Sequence, residues 1–319
     1  MPTRRDVLVS SLATASLPMV LRRTAAAQQP PVQSNASIKT AGLGAIRAVT
    51  LTAPDLHVAQ VAWTQYMEYR LVAQGRVSKA AAAAWDAPTI AGRPYIVLGP
   101  KSGERTFLRF IQQPNTDAGS DVSTFGWSAT EITVQNTDAL YERLKSSPFK
   151  VTGPPGPIPT YSYLRAMQAI GPSGERLNLT WITEPRPDLA AAQSFVGRCF
   201  ITVLTAPDLP KTLDFYRVTF GNSASPIRQL PSLTLSVVTL AEGAKIEVDQ
   251  SAPGAHSRPR PAGGLPPGVA VVSFDCSRFD PLTDRFIHPP HSDGLEPFRG
   301  RSVASLRGPA DELIELLQT

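Results

Sequence analysis

The run Ser128 to Val134 carries a single carboxylate, Glu131, in the middle of a β-branched, strand-like segment. Alternation puts Ala129, Glu131 and Thr133 on one face and Thr130, Ile132 and Val134 on the other. The second set is the better core face, so Glu131 projects from the opposite one. A carboxylate in a partly apolar cavity has its proton affinity raised toward the range where it serves as a general base. Asn178 and Arg109 lie in strand-like runs of their own, and side chains of these types hold a carbonyl or a developing enolate oxygen. Thr50 and Arg176 are weaker members of the same set. The competing reading is a strand glutamate that is paired with an arginine or faces water, because structural pairs perturb carboxylates as well.

A second constellation is His288-Pro289-Pro290-His291, followed by Asp293 and Glu296. Polyproline II has about three residues per turn, which presents both imidazoles on one side. With Asp293 they could chelate a metal; a solvated loop is the competing reading, since ligand number and geometry must both be met. His57 and His256 read as surface residues. Gly263-Gly264 and Gly99-Pro100 are turn punctuation without the strand-to-helix context of a dinucleotide site. Nothing reads as a nucleophile elbow for serine or cysteine chemistry.

The elements that position these residues are repeated. Leu-Thr-Ala-Pro-Asp-Leu occurs at Leu51 to Leu56 and again at Leu204 to Leu209, each time after an apolar β-branched run and before a helical pattern. The unit is strand, Asp-capped turn, helix, with Asp55 and Asp208 accepting from the first helix N–H groups. A second echo closes it: Gly171-Pro172-Ser173-Gly174 precedes Glu175 to Leu179, and Gly308-Pro309-Ala310-Asp311 precedes Glu312 to Leu316. Two copies follow, at 43–183 and 196–319, joined over 184–195 by a linker that begins Glu184-Pro185-Arg186-Pro187-Asp188. In copy one, spacing predicts a helix from Leu56 to Ala73 ending before Gly75, then strands at Tyr95 to Leu98 and Thr106 to Ile111. The plan repeats with a strand at Ser128 to Val134, a helix at Asp138 to Lys145, and strands near Tyr163 to Ile170 and Arg176 to Ile182. Copy two gives a strand at Cys199 to Leu204, a helix at Leu209 to Phe220 ending at Gly221, and five further strands. In its second half a polar loop, Phe279 to Arg301, stands where a helix is expected. Pro148 to Pro159 and Pro253 to Pro267 read as long loops, the first as a flap.

The first 27 residues read as an export signal. Thr3-Arg4-Arg5-Asp6-Val7-Leu8 is a twin-arginine pattern, followed by an apolar stretch to Leu21 and by Ala25-Ala26-Ala27. The competing reading, a membrane anchor, is disfavoured because about 15 apolar residues span a bilayer poorly. The expected location is therefore periplasmic or secreted. Four arginines and one aspartate lie in that segment, a net of +3, so the formal +5 of the chain falls to +2 without it. No basic run with interleaved aromatics remains, and nucleic acid is not an expected partner. Cys199 and Cys276 read as two buried free thiols, with a disulfide as the alternative.

The paired β-α-β-β-β module, with Asp208-Leu209, Phe215-Tyr216, Gly221 and the two closing turn-strand pieces, resembles the vicinal oxygen chelate superfamily of glyoxalase I, extradiol dioxygenases and bleomycin-resistance proteins. The resemblance covers nearly all of the chain after residue 42. It implies an α+β fold: two tandem glyoxalase-like domains, each of two paired modules forming a curled half-barrel sheet. It also implies a divalent metal held by His, Gln or Glu side chains on facing strands. Carried onto this sequence, the ligand positions fall on Ala48 and Ile201 in the first strands, on Ala129 and Ala270 in the second modules, and on Asn178 and Glu315 in the closing strands. Most of these residues have no ligand atom, so neither a metal nor a cofactor is expected.

Trp63, Tyr66, Trp85, Trp127, Tyr161 and Tyr163 place the principal pocket in copy one. The expected function is a metal-independent lyase or isomerase acting on a small oxygenated organic molecule, aromatic ones included. Glu131 is the base, and Asn178 and Arg109 steady the oxygen. A non-catalytic binder of such a molecule is the alternative, and a metal-dependent glyoxalase or dioxygenase the second. The partners expected are that small molecule and, as an open option, a second copy of the chain, with no membrane once the signal is removed.

Overall fold

The computed structural model describes residues 40–114, 123–158 and 161–319; the export segment expected at 1–27 lies outside them. The first unit runs β1 (Leu43–Ala53), α1 (Leu56–Tyr66), β2 (Arg70–Arg76), α2 (Lys79–Ala84), β3 (Pro94–Gly99) and β4 (Phe107–Gln112). The second runs β5 (Thr124–Val134), α3 (Thr137–Leu144), β6 (Lys150–Ile158), β7 (Tyr161–Ile170) and β8 (Arg176–Ile182). The third runs β9 (Val196–Ala206), α4 (Leu209–Phe220), β10 (Arg228–Leu230), β11 (Leu233–Thr239) and β12 (Lys245–Gln250). After the short β13 (His256–Ser257), the fourth has β14 (Val269–Cys276), β15 (Val303–Arg307) and β16 (Leu313–Gln318). Its helix is replaced by the polar segment 279–301, regular only in a 3-10 turn at Asp280–Arg285.

The repeated hexapeptides act as expected. Asp55 accepts from the N–H groups of His57 (2.8 Å) and Val58 (3.0 Å), and Asp208 from that of Lys211 (3.0 Å), which starts α1 and α4. Gly221 ends α4 at φ 81°, a conformation that glycine adopts without strain. Two expectations fail. The first helix stops at Tyr66 rather than Ala73: Glu68 turns left-handed at φ 57°, the Tyr69 N–H returns to the Trp63 carbonyl, and Arg70–Arg76 becomes an edge strand on β3. Helical spacing at Tyr66, Met67 and Arg70 hid an edge strand with Leu71 and Val72 exposed. The proline stretch after Pro148 is likewise no flap. Lys150–Ile158 is the outermost strand beside β7, where Pro154, Pro155 and Pro157 are tolerated because an edge strand need not donate on both sides.

Among the described residues the strands form two sheets, and each sheet draws on both halves of the chain. One has the order β15-β16-β14-β1-β4-β3-β2; the other runs β10-β11-β12-β9-β5-β8-β7-β6, with β13 added to β5. The seams are antiparallel: β1 pairs with β14, and β5 with β9. The first module is thus continuous with the fourth, and the second with the third. One large core unites the helix-bearing faces of both sheets, with Trp63, Phe110, Trp127, Leu179, Tyr216 and Phe274 in it. Separate smaller clusters cover the opposite, concave faces.

Side chains tie the halves in the other sense. Glu175, in the turn before β8, accepts from Trp63 Nε1 of α1 (2.9 Å) and from the Ser173 N–H (2.8 Å). Glu312, before β16, repeats this with the Tyr216 hydroxyl of α4 (3.1 Å) and the Ala310 N–H (2.7 Å). Each carboxyl folds over the glycine that opens its turn, so a Cβ at Gly171 would sit 2.1 Å from Glu175 Oε1, and one at Gly308 1.9 Å from Glu312 Oε1. Burial pushes both carboxyls up from 4.5 to about 7, against the hydrogen bonds that lower them.

Two outcomes are expected. Gly171→Ala and Gly308→Ala should each destabilise by about 1–3 kcal/mol in urea unfolding, through displacement of a buried carboxyl. Because the folded chain keeps two protons that the unfolded chain releases above about pH 4.5, these groups' contribution to stability is complete below that pH. It should be lost as pH rises through about 7. Urea midpoints between pH 5 and 8 should therefore fall, with a shallower slope in Glu175→Gln or Glu312→Gln.

Candidate active site in the second sheet

Strand pairing places a row of polar side chains across the concave face of the second sheet. Lys245 is the register partner of Ile201, Ile201 of Glu131, Glu131 of Asn178, and Asn178 of Gln168. Partners in register share a face, and the alternate residues Ile132, Leu177 and Leu179 lie in the helix-side core. Glu131 is fully buried, and the Thr180 hydroxyl donates to its Oε1 at 2.6 Å. Gln168 Nε2 donates to Asn178 Oδ1 at 3.2 Å, so the Asn178 carbonyl is occupied and its amide nitrogen is left to face outward. Beside them lies a cavity of about 350 Å³ lined by Thr152, Gln168, Arg176 and Asn178. Glu247 and Asp249 of β12 are buried on the same face, and burial pushes the Lys245 ammonium down. The polar-apolar alternation from Lys245 to Asp249 is plain in the sequence, but it reads there as a strand with one wet face. Thr180 and Gln168 carried no sequence signal.

The first sheet has a matching row. Ala48 is in register with Ser273, and Ser273 with Glu315 and hence Ser305. Arg109, expected beside Glu131, belongs to this sheet instead. Both of its terminal nitrogens approach Glu315 Oε2 at 3.4 Å, and Ser273 Oγ (2.5 Å) and Trp85 Nε1 (3.2 Å) also donate to that carboxylate. The guanidinium lies 5.6 Å from the Trp85 ring and 5.8 Å from Phe298. Trp85, Ile90, Leu265 and Leu295 fill the surrounding concave face. The error has a simple source: β4 pairs with β1, and β1 is separated from β5 because each seam joins modules from opposite halves.

The second-module ligand positions also need correcting. The structure puts Glu131 and Ser273 in the rows with Ile201 and Ala48, where counting from the turns gave Ala129 and Ala270. Register shifts in both seams account for the displacement. Neither donor set fits the divalent metal implied by this kind of fold. One row offers Glu315 alone, already neutralised by Arg109; the other offers Glu131 and Asn178 beside an isoleucine, and structural sites use three or more protein ligands. Among the described residues no three His, Cys, Asp or Glu side chains converge to hold a metal. His288 and His291 have ring centroids 6.0 Å apart, and burial pushes the His291 imidazole down. Cys199 and Cys276 are free and buried, and burial pushes their thiols up to about 12 and about 11. The six aromatic residues expected to mark one pocket are dispersed: Trp63 and Trp127 in the shared core with Tyr66 packed against it, Trp85 over Glu315, and Tyr161 and Tyr163 on the second sheet.

The chain is similar in structure to glyoxalase I from Zea mays, with a TM-score of 0.59 and 15% identity over 86% of this chain and 92% of that one. A point variant of the same maize enzyme gives a TM-score of 0.61 at 16% identity, covering 86% and 93%. A putative dioxygenase from Bacillus subtilis gives 0.60 at 11% identity, covering 88% and 86%. No protein-family model and no curated protein matches the sequence. The fold is that of the vicinal oxygen chelate superfamily: two curled mixed sheets built from glyoxalase-like modules.

Removing the guanidinium should expose the cost of the first row. Arg109→Met should destabilise by about 3–5 kcal/mol in urea unfolding, since it leaves a buried carboxylate uncompensated. Arg109→Met combined with Glu315→Gln, which keeps an acceptor for Trp85 and Ser273, should recover most of that loss.

Proposed function

We propose that this chain is a metal-independent acid–base enzyme, a lyase or isomerase, acting on a small oxygenated organic molecule at the concave face of the second sheet. The observation that carries the reading is Glu131: a fully buried carboxylate that accepts from Thr180 and stands in register with Asn178, which itself lines a cavity. A substrate carbonyl above Asn178 would accept from its amide nitrogen while Glu131 takes a proton from the adjacent carbon. The electron pair then moves onto the oxygen, where Asn178 stabilises the enolate. Return of the proton to a different carbon gives an isomerase, and departure of a leaving group gives a lyase. Gln168 acts as a positioning residue through its bond to Asn178. Arg109 drops out of the mechanism, being committed to Glu315 in the other sheet. Metal-assisted chemistry is disfavoured by the donor sets of both rows. The twin-arginine pattern at Arg4-Arg5 supports action after export in the folded state.

A binder without turnover is the second reading, favoured by the close enclosure of Glu131. A panel of small carbonyl compounds in deuterated buffer separates the two. Under the catalytic reading, at least one compound exchanges its α-proton by NMR with the wild type, and Glu131→Gln slows that exchange about 10²–10⁴-fold while keeping the fold. Ligand binding without exchange in either protein would select the binder. Chelator treatment should leave the exchange unchanged; its abolition and recovery on adding a divalent ion would sink the metal-independent reading.

A further inference from the structure

The second sheet curls until its two ends touch. Arg228, on the edge strand β10, is in register with Leu235, and Leu235 with Asp249, so the arginine shares the concave face. Its Nη1 donates at 2.8 Å to the hydroxyl of Tyr161, at the start of β7. In sheet order β11, β12, β9, β5 and β8 lie between those two strands, so the bond spans the concavity rather than a pair of neighbours. Tyr161 is 5 % exposed and belongs to one apolar cluster with Ile158, Leu164, Ala166, Ile182 and Ile201. Two members of that cluster border the carboxylate. Ile201 is the register partner of Glu131 on β9, and Ala166 is that of Thr180, whose hydroxyl donates to Glu131. Glu131 is fully buried and is not part of the cavity that Asn178 lines beside it. A molecule held in that cavity therefore meets the carboxylate only when the apolar cover shifts.

We propose that the bond between Arg228 and Tyr161 is a clasp that holds this cover shut and sets how often a small molecule reaches Glu131. It rests on the reading of Glu131 as a group that contacts a ligand, and holds whether that ligand is turned over or only retained. The apolar cluster is non-directional and gives no fixed closing position of its own. A hydrogen bond from a guanidinium is directional and stronger than one between neutral groups, so it fixes where Tyr161 sits. The same bond is the place where the cover can release. β10 is three residues long and pairs only with β11, and elements with few ladder bonds open locally at low free-energy cost. Arg228 has further interactions of its own. With five N–H donors in its fork, it keeps those and still holds the hydroxyl.

The test is carboxyl labelling of the full chain with a water-soluble carbodiimide and glycinamide, mapped by mass spectrometry. Glu131 should label slowly in the wild type. Tyr161→Phe and Arg228→Met each remove the bond and should speed labelling of Glu131 about tenfold, as expected for loss of a hydrogen bond to a charged group. Arg228→Lys keeps a donor for the hydroxyl and should stay near the wild-type rate. Glu175, fully buried beneath Trp63 on the helix side, is the internal reference. General loosening would speed both carboxyls, whereas loss of the clasp speeds Glu131 alone. The proposal is overturned if Glu131 keeps its wild-type rate in both variants, if Glu175 accelerates with it, or if Arg228→Lys labels as fast as Arg228→Met. Proton exchange of the carbonyl panel, read on the same variants, tests the catalytic reading separately. Faster labelling with no exchange in any protein removes the enzyme and keeps the clasp; exchange with unmoved labelling does the reverse.

Discussion

The antiparallel seams, β1 on β14 and β5 on β9, set everything else in this molecule. A seam decides which residues stand in register, and register decides which side chains share a concave face. Because each seam joins a module from one half of the chain to a module from the other, neither concave face can be assembled from a single half. The buried carboxyls at the closing turns run the opposite way: Trp63 with Glu175 and Tyr216 with Glu312 link modules within one half. Sheets tie across the halves and helix contacts tie within them, so the four modules interlock.

Each row keeps one carboxylate, at different places in the repeat. In the first sheet it stands on the closing strand as Glu315, in the second on the seam strand as Glu131. A charge taken from water must be compensated, and the two rows do this differently. Glu315 receives a guanidinium, a hydroxyl and an indole N–H, beneath a lid of Trp85 and Phe298. Trp85, which follows α2, packs with Ile90, Leu265 and Leu295 over the same concave face.

Much of the fold was legible because it rests on local rules. The repeated Asp caps, the glycine after α4 and the alternation in β5 each gave an element that stands where the residues put it. What failed depended on distant partners. Leu71 and Val72 belong to an edge strand because β3 lies beside them, and Pro154 to Pro157 form a strand because β7 does. Of the candidate site, Glu131 and Asn178 were readable as neighbours from alternation within copy one. Arg109 was not readable as Glu315's partner, because that contact spans 206 residues and crosses a seam that no local pattern announces.

The contrast between the rows bears on which face remains available for chemistry. A carboxylate held by a guanidinium has its charge answered permanently, and any incoming molecule must displace an ion pair to use it. Glu131 accepts from the Thr180 hydroxyl, and its neighbours in register on β8 and β9 are Asn178 and Ile201. Gln168 donates to the Asn178 carbonyl, and both side chains line the cavity. An acceptor for a proton and a donor for an oxygen, side by side on one face, are what enolisation of a carbonyl compound requires. The first sheet, with its ion pair sealed under tryptophan and phenylalanine, has spent the same carboxylate on stability.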